Sequence, residues 1–168
     1  SLALAQAAIE SGWGSSRFAR EGNALFGQWT WSASAPGIEP EDRAEGMTHR
    51  IRAFDSPLAA VRAYVRNLNT HPAYAGLRQL REVQHKTGGL DAHDLAEGLT
   101  AYSEKGAAYV DLVRDIIRAN GLDAFDRVRL ADAGQQVNPE WMINLNPGLI
   151  VFTMVFFAYL TSFVKPLT

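Results

Sequence analysis

The sequence predicts a mainly α-helical domain with a small β-hairpin, followed by a C-terminal membrane helix. Apolar residues recur at helical spacing over most of the first 126 residues, between turn and capping residues. The segment Met47–Phe54 instead alternates apolar and polar residues, as a strand does. The run from Leu149 to Val164 carries no charge, proline or glycine. We therefore expect a domain at residues 1–126, a linker at 127–147 and a transmembrane helix at 148–165.

Composition sets broad limits on function. The chain has 168 residues and a net charge of −2, so no strong attraction to nucleic acid is expected. It contains no cysteine, which excludes a disulfide framework and a thiol nucleophile. The four histidines form no close ligand pair in the sequence, so we expect no metal site and no cofactor. Because Ser1 falls inside an expected helix, we also expect a segment upstream of it.

The first helix ends beside a glutamate. Leu2–Ile9 consists of strong helix formers and is apolar almost all round, which is typical of a buried helix. Gly12 and Gly14 should end it, so Glu10 lies in its last turn against apolar neighbours. Desolvation disfavours the charged form of a carboxyl group, and a glycosidase needs a protonated acid for the leaving oxygen. A lone glutamate at a helix end is also compatible with no chemistry at all.

The later elements follow from capping residues and spacing. Each helix is expected to begin at a polar residue and to carry one apolar stripe. The expected elements are a loop-rich stretch at Phe18–Trp31, one strand within Met47–Phe54, helices opened by Ser56-Pro57, His71-Pro72 and Asp91, and a helix from about Glu104 to Ala119.

The C-terminal apolar run has the character of a membrane helix. At about 1.5 Å per residue, Leu149–Val164 spans roughly 25 Å, slightly less than the hydrocarbon core of a bilayer. Trp141 and Tyr159 suit the two interfaces, and Lys165 favours a cytoplasmic C-terminus. A long buried helix of a soluble core is the alternative, which the absence of a polar face disfavours.

Several motifs together resemble one family. The segment Ala5–Trp31, AQAAIESGWGSSRFAREGNALFGQWTW, resembles the glucosaminidase family of bacterial cell-wall hydrolases (glycoside hydrolase family 73), especially its Bax-like branch. Blocks at Gly37–Ser56, Arg66–Tyr74 and Gly98–Val110 resemble the same branch in the same order. The resemblance covers roughly Ser1 to Phe125. It implies a lysozyme-like helical fold, cleavage of the peptidoglycan glycan strand, and Glu10 as general acid.

The second catalytic group stays open at this point. Glycoside cleavage usually needs a group that stabilises positive charge at the anomeric carbon or activates water. The resemblance places it on a hairpin after the first helix, where Glu39 and Glu41 are slightly favoured over Glu45. The N-acetyl group of the substrate could act instead. Tyr102 matches a family tyrosine near the acid, where it would orient water or the acetamido group.

Aromatic and amide side chains near Glu10 suit a sugar-binding groove. Trp13 directly follows the buried helix and is expected to lie mainly in the core. Trp29 and Trp31 are expected to point one inward and one outward. Asn23 and Phe26 belong to an element that the resemblance places in the groove wall. The candidate substrate-binding residues are Trp13, Asn23, Phe26, Gln28, Trp29 and Trp31.

These expectations combine into one functional hypothesis with two alternatives. The chain is predicted to be an endo-β-N-acetylglucosaminidase that cleaves the β-1,4 bond after N-acetylglucosamine in peptidoglycan. Its expected location is the bacterial inner membrane, with residues 148–165 in the bilayer and the domain in the periplasm. The alternatives are a non-catalytic, glycan-facing subunit of a membrane complex, with other membrane subunits as partners, and a lytic transglycosylase.

Overall fold

The computed structural model describes residues 1–127, which are mainly helical with one small sheet. In chain order the elements are α1 (Leu2–Ser11), α2 (Arg17–Gly22), β1 (Trp29–Thr30), β2 (Gly37–Ile38), β3 (Arg50–Arg52), α3 (Pro57–Thr70), a 3₁₀ helix (Pro72–Tyr74), α4 (Ala75–Thr87), α5 (Ala92–Leu95), a 3₁₀ helix (Ala96–Leu99), α6 (Ala107–Ala119) and a 3₁₀ helix (Leu122–Arg127). The mainly helical class is therefore confirmed for the described residues.

The described chain divides into two units. One consists of Gln6–Asn67 and the other of Ser1–Ala5 together with residues 68–127. The first unit contains the predicted catalytic helix end, the small sheet and most of α3. The second contains α4, α5, α6 and the three 3₁₀ helices.

Helix α1 is buried along most of its length, as its small apolar residues predict. Leu4, Ala5, Ala7 and Ala8 are all buried, and so is the polar Gln6 between them. The helix ends where three successive residues adopt positive φ angles, 57° at Gly12, 57° at Trp13 and 76° at Gly14. Such a run cannot continue a right-handed helix.

The stretch after α1 is more regular than expected, because Phe18–Trp31 was predicted to be loop-rich and part of it is helical. Ser16 caps α2 by accepting a hydrogen bond from the Ala19 amide at 3.2 Å. Asn23 ends the helix in the left-handed conformation, with φ 51°. The local sequence held both signals, but the helix has only six residues.

The expected hairpin is a three-stranded antiparallel sheet with strand order β1-β3-β2. Trp29 pairs with Ile51 on one side of β3, and Ile38 pairs with Ile51 on the other. Helix α2 approaches β2 closely, since a Cβ atom on Gly22 would lie 2.8 Å from the Ile38 side chain. Met47–Phe54 thus contains the central strand, which is shorter than the alternating pattern suggested.

Helix α3 begins as predicted, with the Ser56 hydroxyl accepting a hydrogen bond from the Ala59 amide at 3.2 Å. Its buried stripe consists of Ala60, Tyr64 and Leu68, which are spaced one turn apart. Val65 is 47% exposed. The buried face of α3 therefore includes Tyr64 and not the adjacent Val65.

The unit of residues 68–127 has its core around α6. Tyr109, Val110, Val113 and Ile117 form the buried stripe of that helix. The helix begins at Ala107, three residues after the expected start. Asp91 caps α5 as predicted, since its carboxylate accepts hydrogen bonds from the amides of His93 and Asp94.

The predicted membrane helix at 148–165 and, beyond its first residue, the predicted linker at 127–147 lie outside the described residues. Within residues 1–127, no helix combines the length and the apolar character needed to cross a membrane.

We expect Gly98→Ala to destabilise the chain by about 1–3 kcal/mol, because a Cβ atom there would lie 2.5 Å from the Cα atom of Leu77. The obstacle is backbone and cannot rotate away. Gly76→Ala is the matched control, since nothing lies within 4 Å of its Cβ position and alanine is the better helix former. Thermal unfolding of both variants checks the prediction, which fails if Gly98→Ala unfolds at the wild-type temperature.

Candidate active site

Glu10 lies in the last turn of α1 and is partly buried. The turn that follows it is held by Ser11, whose buried hydroxyl donates to the Ala7 carbonyl at 2.5 Å and accepts from the Gly14 amide at 2.8 Å. These two bonds join the last helical turn to the run of positive φ angles. The backbone on both sides of Glu10 is thereby fixed.

Gly27 lies against the Glu10 carboxylate. A Cβ atom on Gly27 would lie 2.7 Å from Glu10 Oε2, closer than real Cβ contacts occur. Gly27 has φ +59°, a conformation that glycine adopts without strain. The backbone of residue 27 therefore forms one wall around the carboxylate.

Phe26 brings Gly27 to this position. Its ring is buried and stacks on Tyr64, with the ring centroids 4.0 Å apart and the planes at 12°. The Tyr64 hydroxyl donates a buried hydrogen bond to Gln6 Oε1 at 2.7 Å. Phe26, predicted to belong to a groove wall, is 2% exposed, and its ring packs on Tyr64.

Asn23 also has a structural role. It caps α2 in the left-handed conformation, and its side-chain amide donates to the Phe54 carbonyl at 2.9 Å. This bond ties the end of α2 to the segment that follows β3. The structure thus assigns the Asn23 amide to the scaffold around the site.

Two indoles are exposed at the end of β1, contrary to the expectation of one inward and one outward ring. Trp29, in β1, is 48% exposed and Trp31, the residue after β1, is 66% exposed, whereas Thr30 between them is buried. Residues two apart in extended backbone point to the same side, which agrees with the exposure of both indoles. The two rings meet edge to face with centroids 5.8 Å apart.

Trp29 packs against His49, a residue that no sequence pattern linked to the site. Their rings stack at 4.2 Å with an angle of 14° between the planes, and His49 itself is buried. Trp13, expected mainly in the core, is 36% exposed and has a φ angle of 57°. Three indoles near Glu10 in sequence are thus at the surface.

Gln28 was predicted to be a substrate-binding residue. Its side-chain oxygen is buried and has no hydrogen-bond partner within the described residues, and the same holds for His49 Nδ1. The main-chain carbonyl of Gln28 accepts a hydrogen bond from the Arg52 amide at 2.7 Å. The side chain of Gln28 therefore retains an unfilled acceptor.

The hairpin acids form ion pairs with arginines. Arg43 contacts Glu39 at 2.6 Å, and Arg17 contacts Glu41 at 3.2 Å. Both carboxylates are largely exposed. Arg17 also donates to the main-chain carbonyl of Glu39 at 2.8 Å, which anchors this segment to α2. An open hollow of about 430 Å³ lies beside these residues, with Phe18, Met47 and His49 in its wall.

Tyr102 lies in the other unit. Its ring stacks on the buried Tyr109, with centroids 5.5 Å apart and planes at 8°, and it meets Tyr74 at 6.0 Å. Tyr102 itself is partly buried, and its role stays a prediction. Within residues 1–127 no group of three or more histidine or acidic side chains is placed to hold a metal ion.

Comparison with known proteins assigns the chain to a family. The glucosaminidase family model, described as mannosyl-glycoprotein endo-beta-N-acetylglucosaminidase, matches residues 1–122. The chain belongs to the glucosaminidase family and therefore carries a domain of the glycosidase type. Within that family it is a Bax-like member: the curated protein named Protein bax, from Escherichia coli (strain K12), is 37% identical over 110 residues.

That alignment covers 65% of this chain and 38% of the E. coli protein, so the chain spans well under half of the length of its relative. No solved structure matches the chain. The lysozyme-like form of the fold therefore stays a prediction.

Ser11→Ala is expected to cost about 1–3 kcal/mol, because it leaves the Gly14 amide without its acceptor at the end of α1. Ser15→Ala is the control, since that hydroxyl also bonds to a nearby carbonyl but is exposed. Its cost should stay within about 0.5 kcal/mol. Chemical denaturation measures both, and equal losses would contradict the role given to Ser11.

Proposed function

We propose that the chain is an endo-β-N-acetylglucosaminidase that hydrolyses the β-1,4 bond after N-acetylglucosamine in peptidoglycan, with Glu10 as general acid. The observation that carries the proposal is the position of Glu10, a partly buried acid in the last turn of α1 with the Gly27 backbone against its carboxylate. Family membership supports the reaction class, and the confined acid supports the residue.

The chemistry that this arrangement suits is proton transfer to a leaving oxygen. A carboxyl group that is partly removed from water holds its proton more readily than an exposed one. It then protonates the glycosidic oxygen as the bond to the anomeric carbon breaks. Glu39 and Glu41 are largely exposed on the hairpin, and we propose one of them for the other role, charge stabilisation or activation of water.

Trp29 and Trp31 are proposed to bind sugar rings. Flat apolar faces of pyranose rings stack on indoles, and indole N–H groups donate to hydroxyls. Both rings are exposed and meet edge to face, and the buried imidazole of His49 stacks on the Trp29 ring. A supported ring loses little freedom when it binds a ligand. Trp13 is a third exposed indole, two residues after the helix end.

The proposal keeps the expected location of the chain, the bacterial inner membrane with the domain in the periplasm. The apolar sequence at residues 148–165 is its support. Carbonate extraction of membranes from cells that produce the 168-residue chain tests it: release into the soluble fraction would contradict a transmembrane tail.

We expect Glu10→Gln to lower glycan release by about 100-fold or more, because the amide cannot donate the proton that the leaving oxygen needs. The 168-residue chain is incubated with purified peptidoglycan, and products are read by mass spectrometry after borohydride reduction. Glu82→Gln is the control, since that carboxylate is exposed on α4 and forms an ion pair with Lys86.

Three outcomes separate the candidate functions. Reduced N-acetylglucosamine ends from the wild type and the control, but not from Glu10→Gln, support the proposal. Anhydro ends would replace it with a lytic transglycosylase. No release by any folded sample would favour a glycan-facing structural subunit.

Trp29→Ala and Trp31→Ala are each expected to weaken glycan binding by roughly tenfold, which corresponds to about 1.4 kcal/mol of lost ring stacking. Calorimetry with soluble glycan fragments and the Glu10→Gln background measures binding without turnover. Val83→Ala is the control, because Val83 is 60% exposed and lies in the other unit. Unchanged affinity in both tryptophan variants would remove the indoles from the binding site.

A further inference from the structure

The contact between Gly27 and Glu10 involves the end of a flexible side chain. A Cβ atom on residue 27 would lie 2.7 Å from Glu10 Oε2 and 3.5 Å from Glu10 Cδ. The carboxylate can move away from such an atom by rotating its own side chain. A larger residue at position 27 therefore displaces the carboxylate more readily than it unfolds the protein.

The position of Gly27 is itself held from α1. Gln6 and Glu10 are four residues apart on α1 and so lie on the same face of the helix. Tyr64 connects to that face at Gln6 through its hydroxyl, at 2.7 Å. Its ring stacks on Phe26, the residue before Gly27. Four residues, which we call the frame, thus connect two neighbouring turns of α1 through successive contacts. The frame runs from Gln6 through Tyr64 and Phe26 to Gly27, which contacts Glu10.

We infer that this frame positions the general acid: Gly27 is the positioning residue that confines the Glu10 carboxylate, and Tyr64 is the positioning residue that holds Gly27 in place. All members lie within the unit Gln6–Asn67. The inference rests on the proposed function for its catalytic meaning. The geometry of the frame stands without it.

The physical benefit is a carboxyl group with few alternative orientations. A free glutamate side chain samples many rotamers, and a general acid acts only when it lies within hydrogen-bond reach of its target. A backbone wall at residue 27 removes orientations that point toward it and displaces water from that side. Only glycine allows the wall to stand this close.

The first test compares Gly27→Ala with Gly121→Ala. Both glycines have nearly the same positive φ, +59° and +60°, so the two alanines suffer similar backbone strain. Nothing lies within 4 Å of the Cβ position at Gly121. We expect kcat for Gly27→Ala to fall at least tenfold with KM within threefold, whereas Gly121→Ala stays within threefold of wild type in both.

A shorter acid provides the rescue. Glu10→Asp retracts the carboxylate by one methylene, so the added methyl group at position 27 has less to displace. Gly27→Ala should therefore cost less than threefold in kcat in the Glu10→Asp background. Tyr64→Phe keeps the ring and removes the hydroxyl, and we expect it to lower kcat threefold or more. In the Gly27→Ala background the same substitution should have little further effect on kcat. Equal costs in both backgrounds would overturn the inference.

A readout without substrate separates this inference from the proposed function. The Glu10 carboxyl carbon, labelled with carbon-13, is titrated by NMR in the wild type, Gly27→Ala and Gly121→Ala. We expect the midpoint to move by at least half a pH unit in Gly27→Ala and to stay unchanged in Gly121→Ala. If the wild type cleaves no glycan but the midpoint moves, the proposed function fails and the frame stands. If neither variant moves the midpoint, the positioning role is wrong.

Discussion

The buried hydrogen bond between the Tyr64 hydroxyl and Gln6 is the interaction on which the unit of residues 6–67 depends. Gln6 is fully buried within an otherwise apolar helix, and an amide oxygen left unpaired there would cost about 1–3 kcal/mol. The Tyr64 hydroxyl supplies its hydrogen bond, and the Tyr64 ring stacks on Phe26. One side chain of α3 thus joins α1 to the segment that follows α2.

The end of α1 contains a residue with a strained backbone conformation. Trp13 is a non-glycine residue with φ 57°, which costs about 1–2 kcal/mol relative to ordinary helical backbone. The Ser11 hydroxyl bonds to both sides of this turn and offsets part of that cost. Strain of this kind persists where the surroundings determine the backbone, and it is frequent at functional sites. Here the run of positive φ angles ends the helix one residue after Glu10, and the indole of Trp13 is exposed.

The sequence predicted those features of the fold that depend on residues close together in the chain. The end of α1, the Ser56 and Asp91 caps and the buried stripe of α6 all follow from residues within a few positions of one another. The frame around Glu10 does not, since Tyr64 and Gln6 are 58 residues apart. A polar residue in the middle of an apolar helix was the one visible signal for it. The exposure of both Trp29 and Trp31 agrees with the two-residue period of extended backbone.

The hairpin acids Glu39 and Glu41 have different surroundings from Glu10. Exposed ion pairs contribute only about 0–1 kcal/mol, so the contacts of Glu39 and Glu41 with their arginines break at little cost. The hydrogen bond from the Arg17 side chain to the Glu39 main-chain carbonyl attaches this segment to α2 independently of those ion pairs. A general acid needs a confined environment, whereas a carboxylate that stabilises positive charge needs only to stay ionised and within reach. In the proposed reaction, the frame around Glu10 therefore suits the general acid, and the weakly paired hairpin suits the second carboxylate.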